Sequence, residues 1–252
     1  MRLIQGQCRF ANHRMATYAG ATDIGRIRRC NEDDLAIVPE AGLFAVADGL
    51  GGLDAGDIAS RIALASLRDL CLDQAATPDI DMAVWLGKTI VEVNRRTYEH
   101  RMTLGKNMAT TLALVQLGKQ TALVAHVGDS RIYLRHANAL TRITSDHSLV
   151  NALCEQGALT ASQARQSPQR HVITRAIGAE PSVDPSIATV AIAAGDMLLL
   201  CTDGLTNMVT DDQIAACLCG EKEPSRMVEQ LLQMANEAGG HDNITAIVVA
   251  IG

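Results

Sequence analysis

Aromatic residues are scarce in this chain of 252 residues, which contains one tryptophan, three tyrosines and two phenylalanines. Positive charge is also in deficit, because 28 acidic residues outnumber 22 lysines and arginines and leave a formal net charge of −6. A nucleic-acid-binding protein would need a basic surface and aromatic side chains on which bases stack. The composition therefore argues against nucleic acid as a partner. Since 48% of the residues are apolar, it favours a globular enzyme over a disordered chain.

Paired cysteine motifs and long apolar runs are both missing. Seven cysteines are spaced irregularly, and no two of them form the C-x-x-C pair of a zinc or redox site. No run of about 18 apolar residues is present, so we expect no membrane-spanning helix. Residues 1–15 lack the apolar core of a secretory signal. These absences predict a cytoplasmic protein whose cysteines are reduced.

Strand signals form the most regular pattern in the chain. Four consecutive apolar segments are separated by turn residues: Thr110–Leu117, Gln120–Val127, Arg131–Arg135 and Leu140–Thr144. Consecutive strands joined by short polar turns form an antiparallel meander, so we expect one here. Three further strands are predicted at Leu43–Ala47, Met197–Thr202 and Thr245–Ile251. Their almost continuous apolar character indicates that both of their faces are covered.

Apolar residues recur at helical spacing in three segments, Gly56–Gln74, Asp81–Met102 and Ser225–Ala238. Since strands outnumber helices, we predict an α+β fold: an antiparallel two-sheet β-sandwich flanked by pairs of α-helices, in four αββα layers. No linker or repeat interrupts residues 1–252, which we expect to form a single domain. Within it, residues 148–178 form a partly helical insertion between two strands, and such insertions often flank a functional site.

Aspartates lie at the ends of four apolar strands. They are Asp48, Asp129, Asp203 and Asp242. Each one alone is explained as a turn residue, because Asp tolerates turn backbones and Asp-Gly is a strong hairpin signal. Four at the same kind of position indicate a cluster, and clustered carboxylates repel one another unless cations lie between them. The ligand set would contain only oxygen, which suits Mg²⁺ or Mn²⁺ better than Zn²⁺.

Glycines and an arginine near Asp48 fit the same interpretation. Gly49, Gly51 and Gly52 leave the backbone bare, so that a carbonyl can turn towards an ion and a substrate can approach closely. The glycine motifs of P-loops and of dinucleotide sites are both absent. A cation cluster calls for an anionic substrate, and Arg28 offers the bidentate grip that suits a phosphate.

Six segments, in order along the chain, resemble one known family. They are TDIGRIRRCNED (Thr22–Asp33), FAVADGLGG (Phe44–Gly52), MATTLALV (Met108–Val115), HVGDSRIYL (His126–Leu134), LCTDGL (Leu200–Leu205) and GGHDNIT (Gly239–Thr245). Together they are similar to the metal-dependent serine/threonine phosphatases of the 2C type, in their bacterial form. The resemblance runs from about Thr17 to Gly252. It implies a two-sheet antiparallel sandwich flanked by helix pairs, in agreement with the pattern of strands and helices.

The resemblance also implies a metal centre. Asp48 would bridge two metal ions, Mn²⁺ or Mg²⁺, and the carbonyl of Gly49 would bind the first of them. Asp203 and Asp242 would bind the second ion. Asp129, together with Asp203, would form a weaker third site.

Further residues receive roles by the same resemblance. Glu32, Asp33 and Asn243 would lie behind the ligands, where the acidic pair orders metal-bound waters or touches an ion. Arg28 matches the arginine that holds the substrate phosphate. The insertion 148–178 matches the flap that lies beside the catalytic centre, and we call these residues the flap.

Two positions depart from the pattern of some relatives. Leu50 stands where those relatives have a histidine proposed to protonate the leaving group, so that a water molecule would have to supply the proton here. Asn207 stands where some have a second aspartate, and an amide oxygen is a poorer ligand than a carboxylate. This second departure weakens the predicted third site.

The implied activity is hydrolysis of phosphoserine and phosphothreonine on proteins without a covalent intermediate. A hydroxide held between two ions would attack phosphorus in line. The implied partners are phosphoproteins, among them a eukaryotic-like serine/threonine kinase and its substrates, and we expect a monomer. One alternative is a catalytically weak member of the same fold that binds phosphoproteins or acts as a scaffold. Another is a metallophosphoesterase for small molecules, which would commonly use histidine-rich ligand sets.

Overall fold

The structure is a computed structural model that describes residues 1–11, 14–50, 55–73, 81–220 and 223–252. In chain order its strands are β1 (Arg2–Phe10), β2 (Arg14–Asp23), β3 (Asp34–Val38), β4 (Leu43–Ala47), β5 (Gly49–Leu50), β6 (Ala109–Thr110), β7 (Leu112–Leu117), β8 (Thr121–Val127), β9 (Arg131–His136), β10 (Ala139–Arg142), β11 (Ser186–Ala191), β12 (Met197–Cys201) and β13 (Ile244–Ile251). The α-helices are α1 (Gly56–Asp73), α2 (Met82–Leu104), α3 (Leu149–Glu155), α4 (Ala161–Gln166), α5 (Asp203–Thr206), α6 (Asp211–Gly220) and α7 (Pro224–Glu237).

Two antiparallel sheets contain most of these strands. One sheet has the order β1-β2-β13-β12-β9-β10, and the other has the order β11-β8-β7-β4-β3. The short strands β5 and β6 form a separate pair. The most apolar strands lie inside the sheets, where both faces need cover, and every residue of β4 is buried.

Three hydrophobic clusters show how the layers stack. Between the sheets, Phe44 of β4 packs in one cluster with Leu200 of β12. The outer face of the six-stranded sheet packs against α7, for example through Leu231. The outer face of the five-stranded sheet packs against α1 and α2, where Leu67 and Ile90 are buried. The order of layers is therefore helix, sheet, sheet, helix, and the predicted αββα fold is confirmed.

The predicted four-stranded meander is wrong at its centre. β7 and β8 pair with each other in the five-stranded sheet, whereas β9 and β10 pair in the six-stranded sheet. The segment Gly128–Ser130 therefore carries the chain from one sheet to the other instead of closing a hairpin. Strands buried on both faces look alike in either sheet, so the local pattern could not distinguish a hairpin from a crossing. Because of the crossing, Asp129 lies at the edge of the sandwich where the two sheets meet.

Further differences concern an unpredicted strand pair and the bounds of single elements. β1 and β2 pair along their whole length but were not predicted, because polar residues such as Gln5, Gln7 and Arg9 interrupt the apolar pattern of β1. Residues 109–110 belong to the small β5–β6 pair and not to β7. Gln74, predicted as the end of the first helix, lies outside the described residues.

The flap contains the two short helices α3 and α4. The side chain of Ser148 accepts a hydrogen bond from the Asn151 amide at the start of α3, and Thr160 and Gln163 form a capping box at the start of α4. Across the described ranges, no helix has the length and apolar character that a bilayer crossing requires.

Candidate metal centre

The sheets bring the four strand-end aspartates to one edge of the sandwich. Asp48 separates β4 from β5, Asp129 lies between β8 and β9, Asp203 begins α5 just after β12, and Asp242 precedes β13. Burial raises the pKa of Asp48 well above its ordinary value, and repulsion by the other three carboxylates and by Asp33 raises it further. The four acids thus lie near enough for the other three to affect the pKa of Asp48, while their role as metal ligands stays a prediction.

Asp203 interacts with two other members of the cluster, Asp48 and Asp242. Burial is the largest cause that raises its pKa, and repulsion by Asp242 adds to it. A hydrogen bond with Asp48 and another from Asn207 lower the pKa of Asp203 and so oppose this shift. The amide Nδ2 of Asn207 lies 3.0 Å from Asp203 Oδ2, so the residue that replaces a possible ligand orients Asp203 instead.

Asp33 is buried directly beneath this cluster. Its Oδ2 accepts hydrogen bonds from the hydroxyls of Thr202 at 2.8 Å and Thr245 at 2.7 Å. Burial nevertheless raises the pKa of Asp33 to about 7, with further contributions from Asp203 and Asp242. Thr202 directly follows β12 and Thr245 is the second residue of β13, so they tie Asp33 to the segments next to those two aspartates.

Glu32 and Asn243 hold the arginine-containing loop against the sandwich. Asn243 is buried, and its Oδ1 accepts a hydrogen bond of 2.8 Å from the backbone amide of Glu32. Its Nδ2 donates to the carbonyls of Ile24 and Cys30 at 2.9 and 3.0 Å. Burial raises the pKa of the Glu32 carboxyl group, although a hydrogen bond from the Gly56 backbone opposes this. Residues 24–32, including Arg28, are thereby positioned next to Asp242.

Arg28 extends from this loop into the cluster. Its Nη2 lies 2.7 Å from Asp242 Oδ2, and its side chain is 44% exposed. An exposed guanidinium with one carboxylate partner can exchange that partner for a phosphate at little cost. The residue predicted to hold phosphate thus lies in contact with a residue predicted to hold metal.

Asp129 approaches the cluster from the crossing between the sheets. Burial raises its pKa to about 7, followed by repulsion from Asp203 and Asp146. Asp146, just before the flap, forms a bidentate ion pair with Arg131, with distances from 2.6 to 3.1 Å. The ion pair connects the base of the flap to the strand that follows Asp129.

Gly49 occupies a position that only glycine can fill. A Cβ atom there would lie 2.3 Å from the carbonyl oxygen of Gly56 and 2.6 Å from that of Glu32. The amide of Gly49 donates to the same Glu32 carbonyl at 3.1 Å. This close packing explains the first glycine of the predicted loop, whereas Gly51 and Gly52 lie outside the described residues.

The donor set fits a hard divalent cation. Burial, and then the neighbouring carboxylates, raise the pKa values of Asp48, Asp129 and Asp203, so a cation would relieve the repulsion that now favours their protonated forms. Within the described ranges, no three histidine, cysteine or carboxylate side chains could hold an ion by themselves. Backbone carbonyls and water would complete the coordination, as Mg²⁺ and similar ions commonly require.

Three hydroxyl residues around Asp48 were missed by sequence reasoning. The Asp48 amide donates to Thr111 Oγ1 at 3.0 Å, and the hydroxyl of Thr110 lies 2.9 Å from the Asp48 carbonyl oxygen. Thr111 Oγ1 also lies 2.7 Å from Ser130 Oγ, next to Asp129. The available signal was the pair of threonines in the MATTLALV segment, directly before an apolar strand.

A cleft of about 950 Å³ opens beside the cluster. Its walls include Leu50 in β5, Arg101 near the end of α2, and Ile173 and Arg175 in the flap. Leu50 is partly exposed and carries no proton to donate. The cleft lies between the flap and the end of α2.

An antiparallel double-sheet fold with an oxygen-only carboxylate cluster and an arginine beside it is typical of a metal-dependent hydrolase of phosphate esters. The family model described as protein phosphatase 2C matches residues 26–248. The chain belongs to the protein phosphatase 2C family. This confirms the resemblance inferred from the six sequence segments.

Individual relatives agree with this assignment. The serine/threonine phosphatase Stp of Listeria welshimeri is 37% identical over 235 residues, which cover 90% of this chain and 93% of that protein. The serine/threonine phosphatase PstP of Mycobacterium tuberculosis has a TM-score of 0.86 at 32% identity, covering 93% of this chain and 98% of that one. A PstP catalytic domain solved with two manganese ions gives a TM-score of 0.83 at 31% identity, covering 94% and 98%. The chain is therefore a metal-dependent protein phosphatase, as predicted.

Proposed function

We propose that the chain hydrolyses phosphoserine and phosphothreonine in proteins, with divalent cations held by Asp48, Asp203, Asp242 and the Gly49 carbonyl. The observation that carries this proposal is the cluster of mutually repelling carboxylates in contact with the exposed Arg28. A cation-filled cluster would attract a phosphate dianion, and the guanidinium would orient it.

We propose two Mn²⁺ or Mg²⁺ ions for this cluster, with Asp129 and Asp203 offering a third and weaker site. The manganese-containing PstP structure supports the ion type and number by similarity. Glu32, Asp33 and Asn243 would act from behind the ligands, because each is buried and hydrogen-bonded to a neighbouring ligand-bearing segment.

The residues of this chain have separate tasks in the proposed reaction. When bound, the cations supply Lewis acidity and an activated water molecule for attack on phosphorus. Arg28 would exchange Asp242 for the substrate phosphate and hold it in line with that water. Leu50 cannot protonate the leaving oxygen, so water must provide the proton. Cys201 is fully buried and burial raises the pKa of its thiol to about 12, which makes it unsuitable as a nucleophile.

Arg28→Ala is expected to raise KM by about 10- to 100-fold while kcat changes much less, because a charge-assisted hydrogen bond to phosphate contributes about 1.5–3 kcal/mol. Steady-state kinetics with p-nitrophenyl phosphate and with a phosphothreonine peptide measure the effect. Arg29→Ala is the matched control, since Arg29 is an exposed neighbour in the same loop. An unchanged KM in the Arg28 variant would remove this residue from the phosphate site.

Chelation of divalent metal is expected to abolish hydrolysis of a phosphothreonine peptide, and added Mn²⁺ is expected to restore it. The same assay with nucleotides separates the alternatives, because a small-molecule phosphoesterase would favour nucleotides. A phosphoprotein-binding scaffold would hydrolyse neither substrate, and the intact carboxylate cluster speaks against that alternative. Activity that resists chelation would contradict the proposed metal centre.

The partners and setting follow from the proposed reaction. We propose that the substrates include a eukaryotic-like serine/threonine kinase and its targets, and that the chain acts as a monomer. The cleft between Leu50 and Arg175 provides space for their polypeptide segments. We also propose a cytoplasmic location, where the seven cysteines of the chain would stay reduced. The helices packed on both outer faces of the sandwich support a single domain over residues 1–252.

A further inference from the structure

Both ends of the flap are fastened to segments that carry aspartates of the metal centre. At the entry, the His147 amide donates to the Gly128 carbonyl at 2.9 Å, and the Gly128 amide donates to His147 Nδ1 at 3.2 Å. At the return, Ile177 and Thr110 exchange two backbone hydrogen bonds of 3.0 and 2.8 Å. The first connection adjoins Asp129, and the second adjoins Asp48.

Thr110, which makes the second connection with Ile177, is fully buried. Thr110 lies opposite Gly49 in the β5–β6 pair, and it has no exposed surface. Its hydroxyl lies 2.9 Å from the Asp48 carbonyl oxygen and 3.0 Å from that of Thr111. Thr110 therefore contacts the flap through its backbone and Asp48 through its side chain.

The backbone of Asp48 is held almost entirely by this threonine and the next. The Thr111 amide donates to the Asp48 carbonyl at 2.9 Å, and Thr111 Oγ1 accepts from the Asp48 amide at 3.0 Å. A small displacement of Thr110 would thus be passed to the backbone that carries the Asp48 carboxylate.

Residues 177–180, where the chain leaves the flap, are also held by α2, and we call them the flap return. Asn94 Oδ1 accepts from the Gly178 amide at 2.8 Å, and Asn94 Nδ2 donates to the Glu180 carbonyl at 3.1 Å. About two helical turns further along, Arg101 donates to the Ala179 carbonyl. These helix side chains share one face, so α2 fixes the position from which Ile177 reaches Thr110.

We propose that Thr110 is a positioning residue that couples the flap to the Asp48 metal ligand. The proposal rests on the proposed function, because it takes Asp48 to be a ligand. When the flap return shifts, as when a polypeptide enters the cleft lined by Ile173 and Arg175, Thr110 moves Asp48 and changes the affinity for metal. Metal affinity and substrate binding are then linked in both directions.

Thr110→Val removes the hydroxyl and keeps the branched shape, and we expect it to weaken Mn²⁺ affinity by about 10-fold. Calorimetric titration of Mn²⁺ into the substrate-free protein measures this without any contribution from catalysis. Thr110→Ser should restore affinity to within about 2-fold of the unmodified protein, because it retains the hydroxyl. Thr89→Val is the matched control, because it removes the hydroxyl of another buried threonine, on α2. This variant should bind Mn²⁺ with the affinity of the unmodified protein.

A double-mutant cycle tests the coupling itself. Asn94→Ala loosens the flap return and is expected to weaken Mn²⁺ affinity about 3-fold, although Asn94 makes its hydrogen bonds to residues 178–180 and none to Asp48. In the Thr110→Val background the same change should have little effect, because the hydroxyl link is already broken. Additive effects of the two substitutions would overturn the coupling.

Failure of this proposal is distinguishable from failure of the proposed function. Normal Mn²⁺ affinity in Thr110→Val, with metal-dependent activity intact, overturns the role of Thr110 and leaves the metal centre standing. Absence of Mn²⁺ binding in the unmodified protein overturns both. If Thr110→Val does not fold, Asn94→Ala alone decides, since unchanged Mn²⁺ affinity in that variant contradicts a link between flap and ligand.

Discussion

Asp203→Asn is expected to lower kcat/KM for a phosphopeptide by about 100-fold or more, because loss of a ligand should exceed the 10- to 100-fold effect of losing a supporting residue. The fold should survive the change. Asn is isosteric with Asp. In the metal-free protein, repulsion among the buried carboxylates of Asp203, Asp48 and Asp242 destabilises the folded state, and the substitution removes part of it. The thermal midpoint of the metal-free variant should therefore be equal to or above that of the unmodified protein.

Two measurements separate this expectation from simple damage to the fold. Added Mn²⁺ should raise the thermal midpoint of the unmodified protein, since a ligand that binds only the folded state stabilises it, and this rise should be lost in Asp203→Asn. Asp212→Asn is the matched control, because Asp212 is exposed on α6 and lies outside the cluster. Full turnover in the Asp203 variant would show that Asp203 is not a ligand.

Gly204→Ala is expected to reduce both stability and metal-dependent activity. A Cβ atom at this position would lie 1.9 Å from the backbone oxygen of Asn243 and 3.4 Å from Asp242 Cβ. Backbone cannot move aside as a flexible side chain can, so α5 and the start of β13 would separate. Overpacking of this kind costs about 3 kcal/mol. The thermal midpoint should fall by roughly 6–12 °C for a chain of this size.

The activity of Gly204→Ala should fall as well, because the clash moves Asp203 and Asp242 relative to each other. Gly220→Ala provides a control of the same chemistry, since among the described residues a Cβ atom there would meet nothing within 4 Å. Thermal unfolding in the absence of metal isolates the packing effect, and Mn²⁺ titration reports the effect on the site. A thermal midpoint within about 2 °C of the unmodified protein would contradict the close contact.

The layered fold and the four aspartates were accessible from sequence for the same physical reason. A strand buried on both faces is continuously apolar, and a charged residue at its end must lie at the edge of the sheet, where strands such as β4 and β12 converge. The sheet to which each strand belongs was not accessible. Neither was the pairing of β1 with β2, because edge strands tolerate polar residues such as Gln5 and Arg9.

The support around the ligands could not be read from sequence either. Thr110, Thr111, Thr202 and Thr245 have the composition expected of ordinary strand residues, and threonine is common in strands. Their hydroxyls gain a role only because the fold brings them to Asp48 and Asp33 from distant parts of the chain. Likewise, the contact of Arg28 with Asp242 joins residues that are far apart in sequence.

The central position of β13 has a consequence for how the protein is made. β13 lies between β2 and β12, and it pairs with β2 from Ile244 opposite Asp23 onwards. During translation, β2 leaves the ribosome long before β13, its partner, because the two strands are far apart in sequence. Such long-range pairing folds slowly and leaves an unpaired strand edge open to aggregation. Until β13 is synthesised, the edge of β2 that it covers therefore stays open to pairing with another chain.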